Sequence, residues 1–156
     1  MIDALYSTQI LKLAAELPHS GRLSAPEGTG ERVARLCGSK AIIDVILDAE
    51  GRVSAFAQDV KACALGQAAA GVLGQAVIGA SAGEIEAARD AMLAMLKSGG
   101  EGPTGRFEGL RALKQVAGYP ARHASTMVAI EATLDAVRQA AARDRADTRT
   151  SLAGAA

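Results

Sequence analysis

Two short apolar runs, Ala41 to Leu47 (AIIDVIL) and Val53 to Val60, flank the connection Asp48-Ala49-Glu50-Gly51. Their β-branched content and length predict strands, and an Asp- and Gly-bearing connection of that size predicts a hairpin between them. Val33 to Leu36 supplies a third strand just upstream. Three consecutive antiparallel strands make a small meander, which must be covered by helices on one face to be stable. After Lys61 the pattern turns helical and stays so. Strands first and helices afterwards rule against a parallel sheet and predict an α+β domain, a three-stranded antiparallel sheet covered by four to five helices.

The helices can be placed by their periodicity. Ile2, Leu5, Tyr6, Ile10, Leu13, Ala14 and Leu17 recur at three- and four-residue steps and form one stripe, ended by Pro18-His19-Ser20-Gly21. Ser24 to Glu31 (SAPEGTGE) carries turn residues without periodicity and predicts an exposed connection. Within it, Gly28-Thr29-Gly30 lacks both the preceding strand and the Gly-Lys-Ser/Thr ending of a phosphate loop. An Ala-rich helix is predicted from Ala64 to Val77, ending at Gly79. Ser81 and Glu84 have capping-box spacing and start another helix, which continues to about Leu96. Lys97 to Pro103 reads as a loop, Phe107 to Val116 as a short helix, and Pro120 to Arg143 as the last long one. Residues 1–145 are expected to form one domain, with 146–156 a disordered tail.

With 156 residues and 49% apolar composition, one hydrophobic core can form. Seventeen basic and seventeen acidic side chains cancel, so no whole-molecule field favours nucleic acid or an anionic membrane. Apolar stretches are interrupted by Gln67, Gln75, Glu84 and Lys97 well before the roughly 20 residues a membrane span needs. Met1-Ile2-Asp3 carries an acid where a secretory signal carries a base, so the expected location is the cytoplasm, where two cysteines stay reduced or bind metal.

Those cysteines are Cys37, in Cys37-Gly38-Ser39 ahead of a strand, and Cys63, ahead of a helix. In an up-down-up meander the loop before the second strand and the loop after the third lie at one end of the sheet, so the two sulfurs can meet. The helix beginning near Ala64 points its positive end at Cys63, which favours a thiolate suited to metal binding or sulfur transfer. An isolated cysteine is more often a small buried hydrophobe; two on one rim shift the balance toward chemistry. Two thiolates do not complete a tetrahedral metal site, which takes four protein ligands when structural and three when catalytic. Candidates to complete it are His123, His19, Asp59, Ser39 and Ser125, with Arg122 as a cation that would hold a thiolate or sulfide. A neutral hydroxyl is a poor ligand for soft metals.

Taken in order, Tyr6-Ser7 with Ile10, Pro18-His19-Ser20-Gly21, Cys37-Gly38-Ser39, Ala62-Cys63-Ala64, Gly79 and the block Leu113 to Arg122 resemble the U-type iron-sulfur cluster scaffolds, the NifU N-terminal, IscU and SufU group. Coverage runs from about residue 3 to 140, and the segment including Gly99 to Arg106 looks more like the SufU branch. The resemblance implies a SufE/NifU-like α+β fold in a protein that is not an enzyme, with three cysteines and an aspartate or histidine holding zinc or a nascent cluster. Cys37 and Cys63 match the first two cysteines, and Arg122 a basic residue near the third. Ser39 stands at the aspartate, Ala124 at the histidine of the IscU branch and Ser125 at the third cysteine. The expected function is that of a scaffold-like protein binding iron, zinc or a nascent iron-sulfur cluster through Cys37 and Cys63, with His123, Ser125 and Ser39 as supplementary ligands. The alternative is a persulfide carrier without stable metal. Expected partners are a cysteine desulfurase, cluster-accepting apoproteins and a second copy in a homodimer, whose two thiol pairs could hold one [2Fe-2S] cluster.

Overall fold

A computed structural model describes residues 7–154, with 147–154 described as backbone only. Three strands, β1 (Gly28–Ala34), β2 (Ser39–Leu47) and β3 (Val53–Lys61), form an antiparallel sheet in the order β1-β2-β3. The helices are α1 (Thr8–Ala15), α2 (Ala64–Ala76), α3 (Ala82–Ser98), a 3₁₀ helix over Gly105–Gly118, a 3₁₀ turn over Pro120–Arg122 and α4 (His123–Gly154). The architecture is the expected α+β meander with its helical cover.

Strand alternation decides which face is covered. Ala41, Ile43 and Val45 of β2 lie opposite Val60, Gln58 and Phe56 of β3, and all six are buried. Against this face lies α4, which runs over β1 and β2, with α2 beside it and α1 outside α2. Gln58 is the polar member of the row; its Nε2 donates to Pro18 O at 2.9 Å and Ala70 O at 3.1 Å, tying the α1–β1 connection to α2. On the other face Asp44 is fully buried, because the chain at Arg22 and Leu23 crosses it. Arg22 Nε, Leu23 N and Thr29 Oγ1 donate to its carboxylate at 2.7, 3.0 and 2.7 Å. Burial alone would push the Asp44 carboxyl up; the Arg22, Thr29 and Leu23 hydrogen bonds outweigh it and hold the group below the usual carboxylate range.

Several helix signals are met as expected. The capping box closes at both ends, Glu84 N to Ser81 Oγ at 3.2 Å and Ser81 N to Glu84 Oε1 at 3.1 Å, and Gly99 ends α3 with φ +72°. The short helix expected over Phe107 to Val116 is instead a 3₁₀ helix over Gly105–Gly118, with Phe107, Leu110, Leu113 and Val116 buried at a spacing of three that aligns side chains in one row of such a helix.

Other boundaries move. Gly28 to Glu31, expected in an exposed connection, are the first half of β1, and the strand ends at Ala34 rather than at Leu36. The reason is helix approach: a Cβ on Gly28 would lie 2.0 Å from Ala136 O, and one on Gly30 2.0 Å from Ala132 O. These glycines are where α4 rests on the sheet. In the first helix Ile2, Leu5 and Tyr6 lie outside the described residues; the described part spans Thr8–Ala15, capped by Ser7, whose Oγ accepts from Ile10 N. At the other end the α4 backbone continues past Arg143 to Gly154. No helix among the described residues is long and apolar enough to cross a membrane.

Candidate thiol site

The turn Arg35 to Gly38 joins β1 to β2 and is closed by Gly38 N donating to Ala34 O at 2.9 Å, with Gly38 at φ +72°. A glycine there lets the chain reverse at once, so Cys37 projects from the rim and is exposed while Ser39, one step into β2, is buried. Their side chains meet, Cys37 Sγ lying 3.0 Å from Ser39 Oγ. Cys63 follows the end of β3 and is the N-cap residue of α2, with extended backbone and no side-chain cap.

The third component arrives from α4. Gly66 lets α2 press on the start of α4, since a Cβ there would lie 2.8 Å from Ser125 O. Ser125 is thereby delivered to the thiol rim: its Oγ lies 3.5 Å from Cys63 Sγ and donates to Arg122 O at 3.1 Å. One hydroxyl stands between the Cys63 sulfur and the Arg122 carbonyl. The Ser39 hydroxyl, aided by the Ser39 amide, the Ser125 hydroxyl and the Arg122 charge, holds the Cys37 thiol below its ordinary value against the effect of burial. Cys37, Ser39, Cys63 and Arg122 line one open cleft of ≈ 590 Å³, together with Val60, Lys61, Ala62 and Gln67.

His123 is brought elsewhere. Its Nε2 lies 2.9 Å from Val116 O and 3.2 Å from Ala117 O, so the buried ring ties off the last carbonyls of the 3₁₀ helix, and it lines a different cavity, between α3 and α4. His19, at φ +58°, packs its ring edge-on against Phe56 with centroids 5.9 Å apart and does not line the cleft; nor does Asp59. Among the described residues no group of three His, Cys, Asp or Glu side chains is placed to hold a metal ion. The donors present are two soft thiols and two neutral hydroxyls.

Sequence reasoning passed over Lys61 and Gln67. Gln67 is four residues after Cys63 on α2, a spacing that puts both on one helix face, and Lys61 is the last residue of β3. Those positions were the available signal.

No protein-family model and no curated protein matches the sequence. Among solved structures, the N-terminal domain of a nitrogen-fixing NifU-like protein from Brucella abortus superposes with a TM-score of 0.86 at 42% identity, covering 89% of this chain and 96% of that one. The chain belongs to the NifU-like family. A candidate iron-sulfur cluster assembly scaffold for the SUF system from Fervidobacterium islandicum matches this NifU-like domain with a TM-score of 0.77 over 85% of its length and 96% of that chain. At 18% identity that second likeness concerns the fold alone. In the NifU-like domain described here, serines, Ser39 and Ser125, stand at the positions where an aspartate and a third cysteine were expected.

Proposed function

We propose that this NifU-like protein is a scaffold of iron-sulfur cluster assembly that engages its cargo through Cys37 and Cys63, in the cytoplasm, receiving sulfur from a cysteine desulfurase and passing cluster to acceptor apoproteins. The observation that carries the reading is that both thiols line one open cleft, with Arg122 beside them. Two thiolates are half the ligand set of a [2Fe-2S] cluster, so a symmetric pair of chains would complete it; the serines are not asked to bind metal. Anaerobic reconstitution with ferrous iron, a desulfurase and cysteine is expected to leave iron and sulfide on the wild type, in a form larger than a monomer by size-exclusion chromatography, and to leave neither on Cys37→Ala or Cys63→Ala. Wild type emerging with neither metal nor sulfide overturns the scaffold reading.

A second reading is favoured by one specific observation. Cys37 is exposed, its thiol is held low, and among the described residues no group of three His, Cys, Asp or Glu is placed to hold a metal. On this reading Cys37 accepts sulfane sulfur as a persulfide and the protein acts as a sulfur carrier. Mass spectrometry after incubation with desulfurase and cysteine, without iron, would find one added sulfur on Cys37.

A further inference from the structure

Apart from its two thiols, the cleft is lined by positive charge and, among the described residues, by no carboxylate. Lys61 and Arg122 carry that charge. Neither makes an ion pair or a side-chain hydrogen bond with any described residue, whereas Arg22, Arg32, Arg52 and Arg106 are each engaged by acids. Lys61 also stands directly across the sheet from Lys40, an unfavourable placement of like charges. Lys40 turns to Glu31 at 3.0 Å, which leaves the Lys61 ammonium without a counterion among the described residues.

The neutral groups of the cleft act in the same sense. Ser39 brings a hydroxyl to the cleft, and the first turn of α2 opens toward the site with no side chain capping its amides. An aspartate at position 39 and a thiolate at position 125 would have made this a site for cations. With serines there, a divalent ion entering the cleft meets two unneutralised cations, and a small anion meets two partners.

We infer that the cleft is a binding site for a small sulfur oxyanion carrying a terminal sulfane sulfur, the thiosulfate class, its sulfonate end held by Lys61 and Arg122 and its sulfane sulfur turned to Cys37. This rests on the sulfur-accepting reading of Cys37. The Cys37 thiolate attacks the terminal sulfur and forms a new S–S bond. The S–S bond of thiosulfate breaks, its electron pair leaves with sulfite, and Cys37 is left as a persulfide anion. Charge is conserved and no outside oxidant or reductant enters. The event is a single loading of the protein, not turnover.

The test uses thiosulfate alone in one arm and desulfurase with cysteine in the other, with added sulfur on Cys37 read by mass spectrometry and sulfite read in solution. Thiosulfate is expected to load one sulfur on wild type with matching sulfite, and none on Cys37→Ala. In Lys61→Ala and Arg122→Ala the thiosulfate concentration giving half-maximal loading rate is expected to rise at least ~fivefold, as for loss of a charge-assisted contact. Lys40→Ala, the charge-matched neighbour outside the cleft, is expected to stay near wild type, and all three to keep wild-type circular dichroism melting curves. Loading by the desulfurase but not by thiosulfate overturns the inference and leaves the carrier reading standing. Loading in neither arm overturns both. Equal loss in Lys40→Ala and Lys61→Ala assigns the effect to general surface charge and also overturns the inference.

Discussion

Ser39 occupies the place of an expected ligand, yet its hydroxyl sits 3.0 Å from Cys37 Sγ and works on the thiol instead. An O–H donor stabilises a thiolate more than a thiol, so the proton leaves Cys37 at lower pH than it would from a free cysteine. In a Cys63→Ala background, the pH midpoint of iodoacetamide alkylation at Cys37 is expected to move upward in Ser39→Ala, with slower alkylation at neutral pH. An unchanged midpoint would remove Ser39 from this role. At this scale the sequence showed which residues differ from the family pattern but not what the replacements do. His123 illustrates the limit: a histidine two residues from a vacant ligand position invites a metal role, and only the fold reveals that Val116 and Ala117 carbonyls claim its ring. Those bonds join the 3₁₀ helix to α4, and no local spacing announces them.

Elements were legible where local chemistry is self-sufficient. The capping box of α3 and the β2–β3 hairpin each specify their own geometry, whereas the short helix expected over Phe107 to Val116 is a longer 3₁₀ helix. The start of β1 was not legible, because Gly28 and Gly30 are poor strand residues chosen for a long-range reason, the contact with α4 backbone at Ala132 and Ala136. Gly30→Ala is therefore expected to destabilise the protein by about 2 kcal/mol through overpacking. Gly118→Ala, where an added Cβ meets nothing within 4 Å, is expected to stay within ~0.5 kcal/mol of wild type. Urea unfolding monitored by circular dichroism measures both; equal midpoints would show that α4 yields without cost.

For the molecule as a whole, balanced charge removes global self-repulsion near neutral pH, so its acid response falls to individual buried groups. Asp44 is the main one, joining the chain at Arg22 and Leu23 to β1 and β2. Its folded-state affinity for a proton is lowered, so its contribution is complete above the ordinary carboxylate range near pH ~4 and is lost as pH falls through the lower folded value. Asp44→Asn is expected to cost about 2 kcal/mol at neutral pH and to flatten the decline of stability with acid. Parallel acid profiles for variant and wild type in urea titrations would refute this. The seating of α4 on Gly28 and Gly30 has a mechanical consequence at the same scale. A helix is a stiff beam, and Ala132 is about 10 Å along it from Ser125 at 1.5 Å per residue. The fulcrum that aims the Ser125 hydroxyl at Cys63 is thus built from two missing side chains on β1, and the reach of the thiol site is set where no thiol chemistry occurs.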